Sequence, residues 1–409
     1  MKLSIIICVY NTEPAYLRAA LQSIADSTLT DYEICLVDDG SSLDYTALAA
    51  EYKARLYKTE NKGILHARLE GIAMAQGDYL AFFDSDDTVS INYHQPMLEK
   101  AEKEQADIVV NDWAFHTAHT RYACRKDSTI CGEIVATGDE VLRTFAAQAG
   151  REQAFFVTWN KIYRRDILKG AREAILKSSL ADARVCYAED VLFNFYAFRD
   201  AKRLCNVHTG YYFYRIHATQ SINVVSEERL RSQIVSMGDV LTLMMASIGE
   251  NAYREEIMRG LRAWQELMSR THYSHAISQK YTSLYPLIQK TYGVDQLVKS
   301  KWKDSAIYYK ATLLPVNFEE IDTVLRPLFD QKETVLVAYD RRDRYVCRTL
   351  NYLANKGVDV RFSKEADLLI PKGRIRPRDR FLHNDLVYAV GVLLFQKGSR
   401  LRALLKRIL

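Results

Sequence analysis

The sequence predicts an α/β fold: a mainly parallel sheet flanked by helices, followed by a helical stretch and a small α/β region at the C-terminus. Three observations carry this. Over roughly the first 90 residues the apolar residues alternate between a strand period and a helix period, as in successive strand–helix units. Several of the strand-like runs end in acidic or amide residues. From Ser226 to Tyr292 the pattern becomes purely helical, and a strand–helix–strand unit returns over Glu333–Phe362.

The elements follow in order. Leu3 to Val9 is a β-branched apolar run, hence a first strand. Leu17, Leu21 and Ile24 share one face of a helix over Tyr16–Ala25. Glu33–Val37 is the second strand, Asp44–Ala54 a helix and Arg55–Lys58 a short strand. Leu65, Leu69 and Ile72 line a helix over Ile64–Ala75, and Tyr79–Phe83 is the next strand. Tyr93–Glu104 reads as a helix and Ala106–Trp113 as a strand, and Thr137-Gly-Asp-Glu140 has the form of a capping box. Val191–Phe198 is an apolar helix headed by Glu189 and Asp190, and Gly210–His217 a strand. Helices follow over Arg229–Ser247 and Tyr253–Arg270; the last unit holds strands Val335–Ala338 and Val358–Phe362 about a helix over Tyr345–Ala354. The domains expected are 1–224 (in two parts, 1–110 and 111–224), a helical segment 225–300, and a region 301–409.

Composition narrows the class of protein. At 409 residues, 48% hydrophobic and 26% charged, the chain reads as a globular protein of two or three units. A net charge of +5 argues against a dedicated nucleic-acid binder. Seven cysteines form no C-x-x-C pair, which predicts free thiols in a reducing compartment. The apolar run at Leu3–Val9 is too short for a signal peptide or membrane span, so a cytoplasmic protein is expected. The tail, Leu386–Leu409, interleaves Lys397, Arg400, Arg402, Lys406 and Arg407 with leucines. A helix of that kind can lie on an anionic membrane surface at the inner face of the cell membrane. A terminal helix docked on the domain or at a homodimer interface fits the same pattern.

The chain is organised around Gly77–Asp87, a buried strand ending in Asp84, Asp86 and Asp87. Carboxylates so crowded repel one another and favour a shared cation, here a hard divalent ion with room for phosphate oxygens. An EF-hand is excluded, since the sixth and twelfth positions of such a loop would be Val89 and Gln95. Crossover connections make the early strands parallel, so Asn11, Asp38, Asp39 and Asp84 arrive at one edge of the sheet, where such folds bind ligands.

Six motifs then occur in order: Cys8-Val-Tyr-Asn11, Val37-Asp-Asp-Gly-Ser41, Asn61-Lys-Gly63 with Ala67-Arg68, Phe83-Asp-Ser-Asp-Asp87, Trp159-Asn-Lys-Ile-Tyr163 and Glu189-Asp190. Over Met1–Ser221 the chain resembles the family 2 glycosyltransferases of bacterial cell-surface polysaccharide synthesis, which have the GT-A fold. The resemblance implies transfer of a sugar, with inversion, from a nucleoside diphosphate to a hydroxyl of a glycan or lipid-linked acceptor. It implies Asp190 as the base with Glu189 in support. Tyr10, Asn11, Asp38 or Asp39, Arg68, Asp84 and Arg215 fall to the donor nucleotide, with a carboxylate at the base edge favouring UDP. It makes Asp86 the direct ligand of Mn²⁺ or Mg²⁺, with Asp84 and His217 nearby, and puts Trp159, Asn160 and Lys161 on the acceptor side. Asp87 receives no direct role. Cys8, His66 and Leu69 depart from the family's commoner residues. Two other readings are a catalytically inactive nucleotide-sugar scaffold and a sugar nucleotidyltransferase. The second would want a Gly-rich basic loop where Tyr10–Pro14 stands.

Overall fold

The computed structural model describes residues 1–117, 133–148, 153–216 and 226–298, together with three short strands between 334 and 369. The first half is a run of strand–helix units. In order these are β1 (Leu3–Val9), α1 (Pro14–Ala25), β2 (Tyr32–Asp38), α2 (Thr46–Glu51), β3 (Arg55–Lys58), α3 (Ile64–Met74) and β4 (Tyr79–Asp84). Next come β5 (Thr88–Val89), α4 (His94–Glu104), β6 (Ile108–Val110), β7 (Trp113–Thr117), β8 (Val135–Thr137) and α5 (Glu140–Ala147). The series continues with β9 (Lys161–Arg164), α6 (Arg165–Leu176), α7 (Glu189–Asp200), β10 (Arg203–Asn206) and β11 (Tyr212–Ile216).

Eight strands form the central sheet in the order β3-β2-β1-β4-β9-β6-β10-β8. β3, β2, β1 and β4 are mutually parallel, β9 runs antiparallel between β4 and β6, and β10 is parallel to β6. The C-terminal ends of β1, β2, β4, β6 and β10 therefore share one edge with the N-terminal end of β9. Register places Asp38 beside Val9 and Asp84 beside Cys8, so the acidic ends of β2 and β4 flank β1.

β1 and β4 are buried on both faces, which is why their sequences read as unbroken apolar runs instead of alternating ones. α3 lies so close to β1 that a Cβ on Gly71 would stand 2.3 Å from Ile6 Cγ2. Only glycine permits that approach. A second sheet, β5-β11-β7, caps the end of β4. Its β11 pairs antiparallel with β5 and parallel with β7, and thereby crosses just beyond the Asp84–Asp87 turn.

Three helices follow: α8 (Glu227–Ala246), α9 (Arg254–Ser278) and α10 (Tyr285–Tyr292). α8 opens on Ser226, whose hydroxyl accepts from the Arg229 amide. The expected stripe of Ile257, Leu261, Trp264 and Met268 on α9 is buried. Trp264 stacks on Phe156 at 4.5 Å, and a Cβ on Gly260 would meet the Ala146 carbonyl oxygen at 2.5 Å. A separate parallel sheet joins β12 (Thr334–Ala338) to β13 (Asp359–Phe362) and β14 (Leu368–Leu369). The helix expected at 345–354 and the basic tail 386–409 lie outside the described residues.

Three expectations change. Ala106–Trp113 is two strands in two sheets, because the Asn111 side chain takes the Asp112 amide and turns the chain. Asp44–Ala54 is helical only over Thr46–Glu51. The Thr137–Glu140 box does not form: Thr137 already belongs to β8, and the Asp139 carboxylate accepts from the Ala252 amide at 2.7 Å.

Candidate active site

The parallel edge is shaped first by its loops. Asn11, after β1, holds a left-handed backbone (φ 51), which Asn tolerates better than most residues. Its side-chain oxygen accepts from the Ser42 amide and hydroxyl, both at 2.9 Å, and its own amide donates to Ser41 Oγ. The loops after β1 and β2 are thus clipped together, leaving the Tyr10 ring 56% exposed at the rim. Asp38 and Asp39 are buried. Asp38 Oδ1 accepts from the Ser41 amide, whereas the two oxygens of Asp39 accept from the Lys62 and Gly63 amides at 2.9 Å each.

Next along the edge stands the acidic turn. Asp84, Ser85 and Asp86 are half-buried, and Asp87 is completely buried. The Tyr212 hydroxyl accepts from the Asp84 amide at 3.0 Å, and Asp87 Oδ1 accepts from the Arg215 amide at 2.7 Å. Arg215 Nε donates to the Asp86 carbonyl at 2.6 Å, with its guanidinium 4.9 Å from the Tyr16 ring. β11 therefore grips the turn at three points. Burial, then the charges of Asp86 and Asp84, drives the Asp87 carboxyl well above the usual carboxylate range. Burial and the same crowding push Asp84 up to about 6, against the pull of Arg68. Asp87, which the motif left without a direct role, supplies one of the three points that pin β11 to the turn.

Arg68 connects this turn to α7. Reaching up from α3 with its guanidinium 5.5 Å from the Phe82 ring, it donates to Glu189 Oε1 at 3.0 Å and lies 3.5 Å from Asp84 Oδ1. Arg68, expected as a neighbour of the diphosphate, is a buried counter-ion shared by two acidic motifs. Its proton is held all the more firmly by Glu189, Asp84 and Asp190, which outweigh the loss of solvation.

Glu189 and Asp190 begin α7 behind Ala188, whose φ of 68 is left-handed. An L-residue in that conformation is strained by roughly 1–2 kcal/mol, and such strain persists where the surroundings over-determine it. Asp190 Oδ1 accepts from the Val191 amide. Burial, then the neighbouring Glu189 charge, pushes Asp190 up to about 7, with Arg68 opposing. A carboxylate poised near neutrality can accept a proton from a hydroxyl.

The residues expected to face an acceptor divide. Trp159 stacks on Tyr212 at 4.4 Å and meets Trp113 edge-on at 5.2 Å. Asn160 and Lys161 are buried at 0% and 1% exposure. The Asn160 amide donates to the Asn111 carbonyl, and Lys161 Nζ donates to the carbonyls of Ala154 and Val157 and to Asn160 Oδ1. Desolvation lowers the Lys161 pKa well below its ordinary value, opposed by the charge of Asp190. Both side chains are taken up by these buried bonds. His217 lies outside the described residues.

Among the described residues no three His, Cys, Asp or Glu side chains are arranged to hold a metal ion by themselves. The donor set is nonetheless suited to a hard cation. Asp84 and Asp86 offer oxygens at an open edge, and Mg²⁺-type ions commonly take one or two carboxylates and fill their shell with phosphate and water. None of the described helices is long and apolar enough to cross a membrane.

With this geometry in place, residues 4–171 match the model of glycosyl transferase family 2. The chain carries a family 2 glycosyltransferase domain. It is 28% identical over 263 residues to EpsH of Bacillus subtilis (strain 168), covering 62% of this chain and 72% of EpsH. EpsJ of the same organism is 32% identical over 217 residues, 52% of this chain and 60% of EpsJ. Both are named as glycosyltransferases. The chain is also similar to S. aureus TarS crystallised with UDP, at a TM-score of 0.53 and 16% identity, covering 88% of this chain and 90% of that one. The GT-A fold expected from the motifs is the fold observed, with β9 antiparallel inside the mainly parallel sheet.

Proposed function

We propose that the chain is an inverting glycosyltransferase that moves a sugar from a UDP-type donor to a hydroxyl of a glycan or lipid-linked glycan. One observation carries the reading. Asp190, raised to about 7, stands on the same edge as the Asp84–Asp86 turn and is joined to it through Glu189 and Arg68. A proton acceptor and a diphosphate-facing turn, mechanically linked, are what single displacement requires.

In the reaction the acceptor oxygen attacks the anomeric carbon while the bond from that carbon to the diphosphate breaks. Asp190 takes the hydroxyl proton and the nucleoside diphosphate leaves. Asp38 receives the base edge, with Asp39 holding the 61–63 loop beside it and Tyr10 and Asn11 framing the pocket. Asp86, with Asp84, would hold Mn²⁺ or Mg²⁺, which would supply charge neutralisation at the departing diphosphate. TarS, which shares the fold, is named in complex with UDP, in line with a uridine donor. Arg215 and Trp159 act from behind, fixing the turn and the aromatic wall. The setting is cell-surface polysaccharide synthesis at the inner face of the membrane, where the basic tail 386–409 would meet anionic lipid; vesicle pelleting of the full chain tests that part. A screen of nucleotide sugars with Mn²⁺, read by UDP release and thermal shift, tests the function. Binding without turnover by any acceptor or water would favour an inactive scaffold instead.

A further inference from the structure

The donor edge grips the stretch that delivers Asp190 at three places. His66 Nε2, on α3, lies 2.9 Å from the Ala181 carbonyl oxygen. Arg184 Nη2 donates to Asn61 Oδ1 at 2.7 Å. Glu189 accepts from Arg68. Asn61 directly precedes the two amides that Asp39 holds, and the stem of Arg184 lies over Gly63, its Cγ 3.6 Å from where a Cβ would be. On the far side, Ser236 Oγ lies 3.4 Å from the Cys186 amide and the Tyr187 ring packs 6.0 Å from His272.

The stretch is thus fastened at both ends of the strained Ala188: by Arg68 on the phosphate side and by Arg184 on the nucleoside side. Arg184 is exposed, so its bond to Asn61 is not needed to fill the core. Its partner loop is the one that Asp39 shapes for a nucleoside. We propose that Arg184 is a positioning residue: through Asn61 it transmits occupation of the nucleoside pocket to the stretch 181–190 and so fixes Asp190 for the proton transfer. The inference rests on the donor reading above. By linkage, whatever nucleoside binding does to the 61–63 loop must then be felt at the start of α7.

Hydrogen exchange with UDP and Mn²⁺ as the probe tests it. In the wild-type chain UDP should slow exchange over 61–68 and over 185–192. In Arg184→Ala, UDP should bind with unchanged Kd and still protect 61–68, while protection of 185–192 is lost. Donor turnover should fall by up to about 10²-fold with KM unchanged, the size expected when a reacting group is misplaced. Asn61→Ala should reproduce both effects, and the double variant should be no worse than either single one. Persistent protection of 185–192 in Arg184→Ala overturns the proposal. So does a Kd that weakens as much as turnover, which would put Arg184 on the donor itself. A fall in Tm with faster exchange before UDP is added would also overturn it, as mere loosening. If UDP protects neither segment of the wild-type chain, the donor reading fails and this proposal with it.

Discussion

Arg68 and Glu189 stand 121 residues apart in the chain and meet at 3.0 Å, with Asp84 on the other side of the same guanidinium. One cation answers two acidic motifs, tying the Asp84–Asp87 turn to the start of α7. Arg68→Met should strip that counter-charge and leave both carboxylates crowded in a buried site. A loss of about 3 kcal/mol is expected from removing one partner of such a group, measured by urea unfolding. Unchanged stability would show that the bridge is incidental.

Asp190→Asn keeps the shape of the side chain and removes its basicity. Sugar transfer should fall by at least about 10²-fold, the usual contribution of a positioned base, with UDP affinity unchanged in calorimetry. Retained turnover would rule Asp190 out.

The pH dependence has a definite sign. Asp190 is raised to about 7 in the fold, faced by Glu189, Asp84, Arg68 and the buried Lys161, Tyr163 and Tyr187. The base works ionised, so turnover should climb as pH rises toward 7 and then level. The same group binds more protons folded than unfolded, so its contribution to stability is full below the ordinary carboxylate range and declines as pH rises to about 7. In Asp190→Asn both dependences should flatten, read from rate profiles and from Tm against pH.

Asp86→Ala should abolish the part of UDP binding that a chelator removes from the wild-type chain. Titrations with and without EDTA measure this, and donor binding indifferent to chelator in the wild type would exclude a cation at the turn.

Much of the fold was legible because burial on both faces leaves a signature in sequence. β1, β2 and β4 fell within a residue of their expected bounds, and their acidic ends marked the edge. The partners of each side chain were less legible. Lys161 looks like a surface base in Trp-Asn-Lys-Ile-Tyr, and only the folded chain brings the Ala154 and Val157 carbonyls around its amine. Asp87 looked idle because its partner amide, Arg215, lies 128 residues away. Ala188 carries no sign of its left-handed backbone, since nothing in an alanine announces it. The capping box failed for a related reason: a local pattern lost to a distant amide, Ala252.

The stack of Phe156 on Trp264 bears on how the gene can be divided. The change of character near residue 224 looks like a natural place to cut. Yet Phe145, Phe156 and Phe198 pack together in one aromatic cluster, and α9 lies directly on it through Trp264, with Gly260 against Ala146. A fragment stopping at 224 would carry that aromatic face bare into the cell and should be recovered largely as inclusion bodies. The shortest fragment worth expressing runs through α10.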